Sequence, residues 1–375
     1  MNGNVIVGQS GGPTSVINSS LVGVFQGAKR AGCGKIYGMR NGLEGLLQER
    51  YVELNDCIKN DLDIEILKRT PSSFLGTCRY KLPHYEKDSA VYEKLFAILK
   101  KLDIKHFFYI GGNDSMDTVM KLDAYFRENH IDIKVVGVPK TIDNDLPLTD
   151  HTPGFGSAAK YVATTLQEII RDSRVYSIPS VTIVEIMGRD AGWLTASSCV
   201  LRANGEPAPH LIYLPESDFS EEHYLEDVKR ISERYKAVIV AVSEGIDCLA
   251  SRSEATDAFG HKYLSGIGKC LENIVRKEIG CKVRSIELNV MQRCASHMAS
   301  KTDVDESVKI GEEAVKAAVK GETGKMMAFK RISDRPYFSE IVTVDAKEVA
   351  NKERLFPKEW INNQGNNVTA FALDY

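Results

Sequence analysis

His106-Phe107-Phe108-Tyr109-Ile110-Gly111-Gly112-Asn113-Asp114-Ser115 is the stretch that decides how this chain reads. An apolar run ends in a glycine pair, and a helix-like segment, Ser115 to Arg127, begins at once. Short continuous apolar runs of this kind are strands buried on both faces. A turn from such a strand into a helix gathers backbone N–H groups where a phosphate can sit. A second apolar run, Val135 to Val138, leads into Pro139-Lys140-Thr141-Ile142-Asp143-Asn144-Asp145. That loop packs a lysine, a threonine and two aspartates into six residues, enough for a cation, a base and metal ligands. One loop holds phosphate and the other acts on it, a pairing that points to phosphoryl transfer.

The same alternation extends outward in both directions. Val5–Gly8, Val181–Ile186, Leu211–Leu214 and Val238–Val242 read as further buried parallel strands. Val91–Leu102, Ala158–Arg171, Glu221–Arg234 and Leu271–Lys277 read as helices between them. Strand and helix in turn imply an α/β fold with right-handed crossovers. Toward the C-terminus, Asp303 to Lys320 reads as one helix, with Thr302 or Asp303 as N-cap and Gly321 as its stop. Thr323–Arg331 and Phe338–Val344 then read as strands of a mixed or antiparallel region. No proline-, glycine- or serine-rich linker and no internal period divides the chain. Two closely apposed domains with discontinuous sequence are expected, the first over residues 1–150 and the second over 151–375, part of the C-terminal region completing the first.

Bulk properties narrow the function classes. A chain of 375 residues with 43% apolar and 26% charged residues is an ordinary globular protein. A net charge of −3 gives no global field for nucleic acid. No apolar stretch approaches the ~20 residues that cross a bilayer, and the N-terminus lacks a leader pattern, so a cytoplasmic protein is expected. The eight cysteines are dispersed and read as buried thiols. The histidines lack zinc spacing, and His106, inside an apolar run, reads as a core residue.

Gly8-Gln9-Ser10-Gly11-Gly12-Pro13-Thr14 is a second glycine turn after a strand. Alone it would serve equally well as a tight turn. Beside Gly111-Gly112 it reads as half of a phosphate cradle, since such turns leave the carboxyl ends of neighbouring strands. Asp143 and Asp145 would be an ordinary Asx-rich turn without the strand and lysine before them. Arg189, in Met187-Gly188-Arg189, and Arg293, in Gln292-Arg293, each follow a strand-like run, as anion-binding groups at one face of a sheet do. Glu244 follows Val238–Val242 in the same way and can accept hydrogen bonds from sugar hydroxyls.

In combination these motifs give a specific resemblance. The chain resembles the phosphofructokinase family over nearly its whole length, through Ser10-Gly11-Gly12, Phe74-Leu75-Gly76-Thr77-Cys78-Arg79, Gly111-Gly112-Asn113-Asp114-Ser115, Thr141-Ile142-Asp143-Asn144-Asp145, Met187-Gly188-Arg189 and Gln292-Arg293. The resemblance implies two similar Rossmann-like three-layer domains, with a phosphoryl donor and fructose 6-phosphate meeting in the cleft. It implies Asp143 as the base toward the sugar 1-hydroxyl, Thr141 as a contact of the moving phosphoryl group, and Arg79 and Arg189 as its neutralising cations. Gly11, Gly12, Gly111, Gly112 and Ser115 would cradle the donor, while Asn113 and Asp145 would serve Mg²⁺. Met187, Gly188, Glu244 and Arg293 match sugar-phosphate contacts. Arg284 matches an arginine offered to a neighbouring subunit, which implies a homo-oligomer, dimer or tetramer.

Asp114 and Lys140 bear on the donor. ATP-dependent members of the family carry glycine at both positions, and pyrophosphate-dependent members carry this aspartate and lysine. A carboxylate at Asp114 adds bulk and like charge where a nucleotide's α-phosphate would pass, and Lys140 can put its ammonium where that phosphate would have been, pairing with Asp114 and with pyrophosphate. The expected reaction is pyrophosphate-driven phosphorylation of fructose 6-phosphate, which the resemblance implies to be reversible. The alternatives are an ATP-dependent phosphofructokinase, a related kinase for NAD or lipids, and a catalytically silent sugar-phosphate-binding subunit. Asn113, Val290 and Ser180 depart from the family pattern at a metal contact, a sugar contact and an intersubunit arginine. Asp257–His261 and Cys294–His297 look like segments of the pyrophosphate-type subgroup.

Overall fold

Apolar runs form the strands of two sheets in the computed structural model, which describes residues 3–248 and 266–375. The Asp257–His261 segment lies outside the described residues. In chain order the strands are β1 (Asn4–Gln9), β2 (Ile36–Met39), β3 (Tyr51–Glu53), β4 (Ile104–Gly111), β5 (Lys134–Pro139) and β6 (Ser180–Ile186). They continue as β7 (Leu211–Tyr213), β8 (Ala237–Ser243), β9 (Lys282–Glu287), β10 (Lys325–Asp334) and β11 (Tyr337–Asp345). The first sheet runs β11-β10-β5-β4-β1-β2-β3 and the second β7-β8-β6-β9. Pairing is parallel except for β2–β3 and β10–β11 at the two ends of the first sheet.

The main helices are α1 (Ile17–Arg30), α2 (Ser89–Lys101), α3 (Asn113–Glu128), α4 (Phe155–Ser173), α5 (Glu221–Ser232), α6 (Ile267–Glu278) and α7 (Lys301–Val319). Two units result: one of residues 1–142, 146–157 and 293–353, the other of 143–145, 158–292 and 354–375. Residues 293–353 belong with the N-terminal unit because α7 packs on α1 and β10 pairs with β5, and relative to a cut at residue 150 the differences are 143–145, which fall in the second unit, and 151–157, which fall in the first.

Successive residues of each strand point to opposite faces. In β4, Phe107 and Tyr109 join one apolar cluster while Phe108 and Ile110 join another across the sheet. Both faces of the first sheet are therefore covered, which is why its strands read as unbroken apolar runs. The second sheet packs Val181, Ile183, Val238 and Val240 against residues of α5 and α6, such as Tyr224 and Leu271.

Helices α1 and α7 cross at backbone distance. A Cβ on Gly23 would lie 2.0 Å from the carbonyl oxygen of Val308, and one on Gly311 would lie 2.4 Å from that of Ser20. The helix expected from Asp303 begins earlier, at Lys301, and its N-cap is Ser300 rather than Thr302 or Asp303. Asp303 lies in the first turn and spends its carboxylate elsewhere, on Gly154 and Ser157. Cys248 and Cys270 are bonded to each other, contrary to the reading of all eight as thiols; the segment after β8 and α6 bring them together, and the other six form no disulfide.

Two buried histidines titrate in opposite senses. His151 lies between Asp150 and Glu306, each 2.9 Å away, and stacks on Phe329. Burial pulls its pKa down, but the hydrogen bonds to both carboxylates outweigh that and raise it from 6.5 to about 9. His210 accepts from the Ile239 amide at 3.0 Å, and burial, with the Arg174 charge, lowers it from 6.5 to about 4. A raised folded pKa stabilises below the unfolded value and loses that contribution as pH rises through the folded one; a depressed pKa does the reverse. The contribution of His151 fades between pH 6.5 and about 9, and that of His210 fades as pH falls from 6.5 to about 4. Thermal unfolding followed by circular dichroism should show a flatter alkaline limb in His151→Gln and a flatter acid limb in His210→Gln. Limbs identical to those of the unmutated protein would refute these assignments.

Candidate active site

In the first unit β1 and β4 end side by side, and both glycine turns leave from those ends. The Ser10 amide donates to the Ile110 carbonyl at 2.9 Å, and the Lys140 amide donates to the Gly111 carbonyl at 3.0 Å. Behind the first turn, the Gly11 amide donates to the Cys78 carbonyl at 3.2 Å and the Thr77 hydroxyl to the Gly11 carbonyl at 2.7 Å. Gly11 has φ +77°, a left-handed conformation that a side chain disfavours. A Cβ there would stand 3.1 Å from Lys140 Nζ, and one on Gly12 would stand 3.3 Å from an Arg293 guanidinium nitrogen. Two cations thus lie over a turn made of backbone, a composition suited to phosphate oxygens. Arg293, read as a sugar-phosphate contact, stands beside Gly12.

Asp114 is exposed in the first turn of α3, Ser115 is buried behind it, and the Asn113 amide oxygen accepts from the Asp114 amide at 2.8 Å. Arg79 is exposed at the end of the 74–79 loop. Two residues that the sequence reading missed fix this loop. Buried Gln9 accepts from the Leu75 amide at 3.0 Å and donates to Asn18, whose amide group donates to the carbonyls of Thr70 and Ser72. Their only sequence signal is a polar residue closing an apolar strand and another opening the helix after it.

The chain passes from the first unit to the second between Ile142 and Asp143. Thr141 is buried, while Asp143 and Asp145 are half-buried. The C-terminal segment shapes the aspartate loop, another feature absent from the sequence reading. The Arg354 guanidinium donates to the Asn144 carbonyl at 2.9 Å, its amide donates to the Asp145 carbonyl at 2.6 Å, and the Asn144 side chain donates to the Tyr375 hydroxyl at 2.9 Å. Arg354 in turn lies over the Trp193 ring, 4.4 Å from its centroid.

In the second unit the ends of β6, β8 and β9 surround a cavity of about 110 Å³ lined by Glu185, Met187, Glu244, Glu287 and Gln292. The Gln292 amide oxygen accepts from the Met187 amide at 3.3 Å, and Glu244 accepts from the Gly188 amide at 3.4 Å. Burial, with the charges of Glu287 and Glu244, pushes the Glu185 carboxyl up to about 7. Carboxylates accept and a carboxyl that keeps its proton also donates, so this lining suits the hydroxyl groups of a polyol. Arg189 follows β6, and its buried Nε has no hydrogen-bond partner among the described residues, which leaves a donor for an anion. Arg284 is on the edge strand β9, where it pairs with Asp172 at 3.1 Å. Val290 is exposed, and Ser180 opens β6.

Comparison with known proteins accords with this chemistry. The profile of the family described as Phosphofructokinase matches residues 4–318. The chain is 38% identical to a pyrophosphate–fructose 6-phosphate 1-phosphotransferase of Halomonas elongata, over 99% of this chain and 90% of that protein. It is 39% identical to the enzyme of the same name in Xanthomonas campestris, over 100% and 90%. The crystal structure of a pyrophosphate-dependent phosphofructokinase from Marinobacter aquaeolei superposes with a TM-score of 0.87 at 36% identity, covering 99% of this chain and 90% of that one.

Gly11→Ala tests the cradle. Left-handed strain of about 1–2 kcal/mol, added to pressure on Lys140, should weaken calorimetric binding of pyrophosphate by about ten-fold. Unchanged affinity would place the anion elsewhere.

Proposed function

Because the chain belongs to the phosphofructokinase family, we propose that it transfers a phosphoryl group from pyrophosphate to the 1-hydroxyl of fructose 6-phosphate, giving fructose 1,6-bisphosphate and phosphate. The choice of donor is carried by one observation, the Lys140 ammonium over the Gly11 turn. There the lysine ammonium occupies the place of a nucleotide's α-phosphate and pairs with pyrophosphate, and Asp114 on α3 adds a carboxylate against that phosphate.

Asp143 accepts the proton of the 1-hydroxyl as its oxygen attacks phosphorus, the bond to the leaving phosphate breaks, and phosphate departs. A positioned base of this kind contributes about 10²–10⁴-fold. Transfer of a phosphoryl group needs little covalent help and much charge neutralisation. Arg79 and Arg189 meet the charge that spreads over the moving group, and the Thr141 hydroxyl contacts it. Gly11, Gly12, Gly111, Gly112, Ser115 and Lys140 hold pyrophosphate. Met187, Gly188, Glu244 and Arg293 hold the sugar phosphate, and Arg284, on an edge strand, serves a neighbouring subunit in a homo-oligomer.

The donors offered to a metal are the Asp145 carboxylate and the Asn113 amide oxygen, with no sulfur or imidazole in either loop. Such hard oxygens fit Mg²⁺. Asn113 is the weaker donor, since its oxygen already accepts from the Asp114 amide. When bound, Mg²⁺ neutralises charge on pyrophosphate. No helix among the described residues is long and apolar enough to cross a membrane, and we place the enzyme in the cytoplasm.

Initial rates of fructose 1,6-bisphosphate formation, with Mg²⁺ and equal pyrophosphate or ATP, test the donor directly. Pyrophosphate should support turnover and ATP should not; a preference for ATP would overturn the donor assignment. Asp143→Asn should lower kcat by about 10²-fold or more while the fructose 6-phosphate KM stays close to that of the unmutated enzyme. Near-normal kcat would remove Asp143 from the chemistry. Asp114→Gly should raise the ATP rate relative to the pyrophosphate rate, and a constant ratio would show that Asp114 does not filter donors.

A further inference from the structure

Thr141 has both backbone groups engaged by the segment that follows the aspartate loop. Its amide donates to the Pro153 carbonyl at 3.3 Å, and its carbonyl accepts from the Thr152 hydroxyl at 2.8 Å. It also forms a parallel bridge with Gly154. Thr152 is fully buried, so this bond has no competition from water.

Residues 150–157 are in turn held by two carboxylates one turn apart on α7. Asp303 accepts from the Gly154 amide at 3.0 Å, the Ser157 amide at 2.9 Å and the Ser157 hydroxyl at 2.5 Å. Glu306 holds His151 at 2.9 Å and also accepts from Tyr337 and Ser339 on β11. Thr152 therefore sits between two anchored points, His151 and Gly154, and passes their position to Thr141. Asp303 does not cap its own helix, and a fully buried carboxylate holding three donors from another segment has a use other than helix stability.

We propose that Thr152 and Asp303 are positioning residues for phosphoryl transfer: Asp303 fixes residues 154–157, and the Thr152 hydroxyl fixes the Thr141 carbonyl, setting where the Thr141 side chain meets the moving group. This rests on the role given to Thr141 in the pyrophosphate reaction. Neither residue touches substrate. A misplaced contact acts on the transition state while leaving ground-state sugar binding intact, so the effect falls on kcat.

Thr152→Val keeps the shape and removes the hydroxyl; Thr152→Ser restores it. With the full chain, Mg²⁺, pyrophosphate and fructose 6-phosphate, Thr152→Val should lower kcat by about ten-fold, with the sugar KM unchanged and Thr152→Ser near the unmutated rate. Asp303→Asn, which replaces an acceptor by a donor facing Ser157, should lower kcat likewise. Should Asp303→Asn fail to fold, Ser157→Ala removes one of the three bonds and should give a smaller fall of the same kind. Unmutated kcat in Thr152→Val, a fall that Thr152→Ser does not rescue, or a rise in KM without loss of kcat would overturn the proposal. Absence of turnover in the unmutated enzyme would instead overturn the function on which it rests.

Discussion

The backbone contact between α1 and α7 is the constraint on which the first unit depends. Gly23 and Gly311 let the two helices approach until a methyl group at either position would collide with a carbonyl oxygen of the other helix. Helix α1 starts five residues after the glycine turn at Gly11-Gly12, and α7 carries the carboxylates that hold residues 150–157. The crossing therefore sets the distance between the phosphate cradle and the loop bearing Thr141. Gly27 extends the seam by one turn, since a Cβ there would lie 3.1 Å from the Cα of Glu312 and 3.2 Å from the Cβ of Val315. Inserting even a methylene into such a seam typically costs about 1–3 kcal/mol.

Chemistry is divided by the sign of charge within each unit. The glycine turns present N–H groups with Lys140 and Arg293, a setting for the oxygens of phosphate. The cavity at the ends of β6, β8 and β9 presents Glu185, Glu244 and Glu287, acceptors for hydroxyl groups. Crowded carboxylates repel one another, and burial with that repulsion explains why Glu185 holds its proton to about 7. A protonated Glu185 adds a donor to an otherwise accepting wall.

Much of this was legible in the sequence, for a physical reason. Strands covered on both faces, such as β4, β5, β6 and β8, advertise themselves as apolar runs, and the glycine turns follow directly at their ends. The residues that matter through long-range hydrogen bonds carry no such pattern. Gln9 and Asn18 bond a loop more than 50 residues away, and Arg354 and Tyr375 shape a loop more than 200 residues away. Asp303 looked like a helix cap because Asp near a helix start is one in isolation; its true partners, Gly154 and Ser157, are brought to it only by the fold. The short strands β2 and β3 were missed because three or four residues give too brief a run to show a period.

Gly311 has no side chain and takes no part in binding or transfer, yet it governs whether the groups that do are in place. In a survey of random mutants scored only by activity, substitutions at Gly311 would cluster with those at Asp143. Such a survey would group residues by consequence, and it would take the packing of α1 on α7 to separate the glycine that shapes the fold from the aspartate to which we assign the base's role.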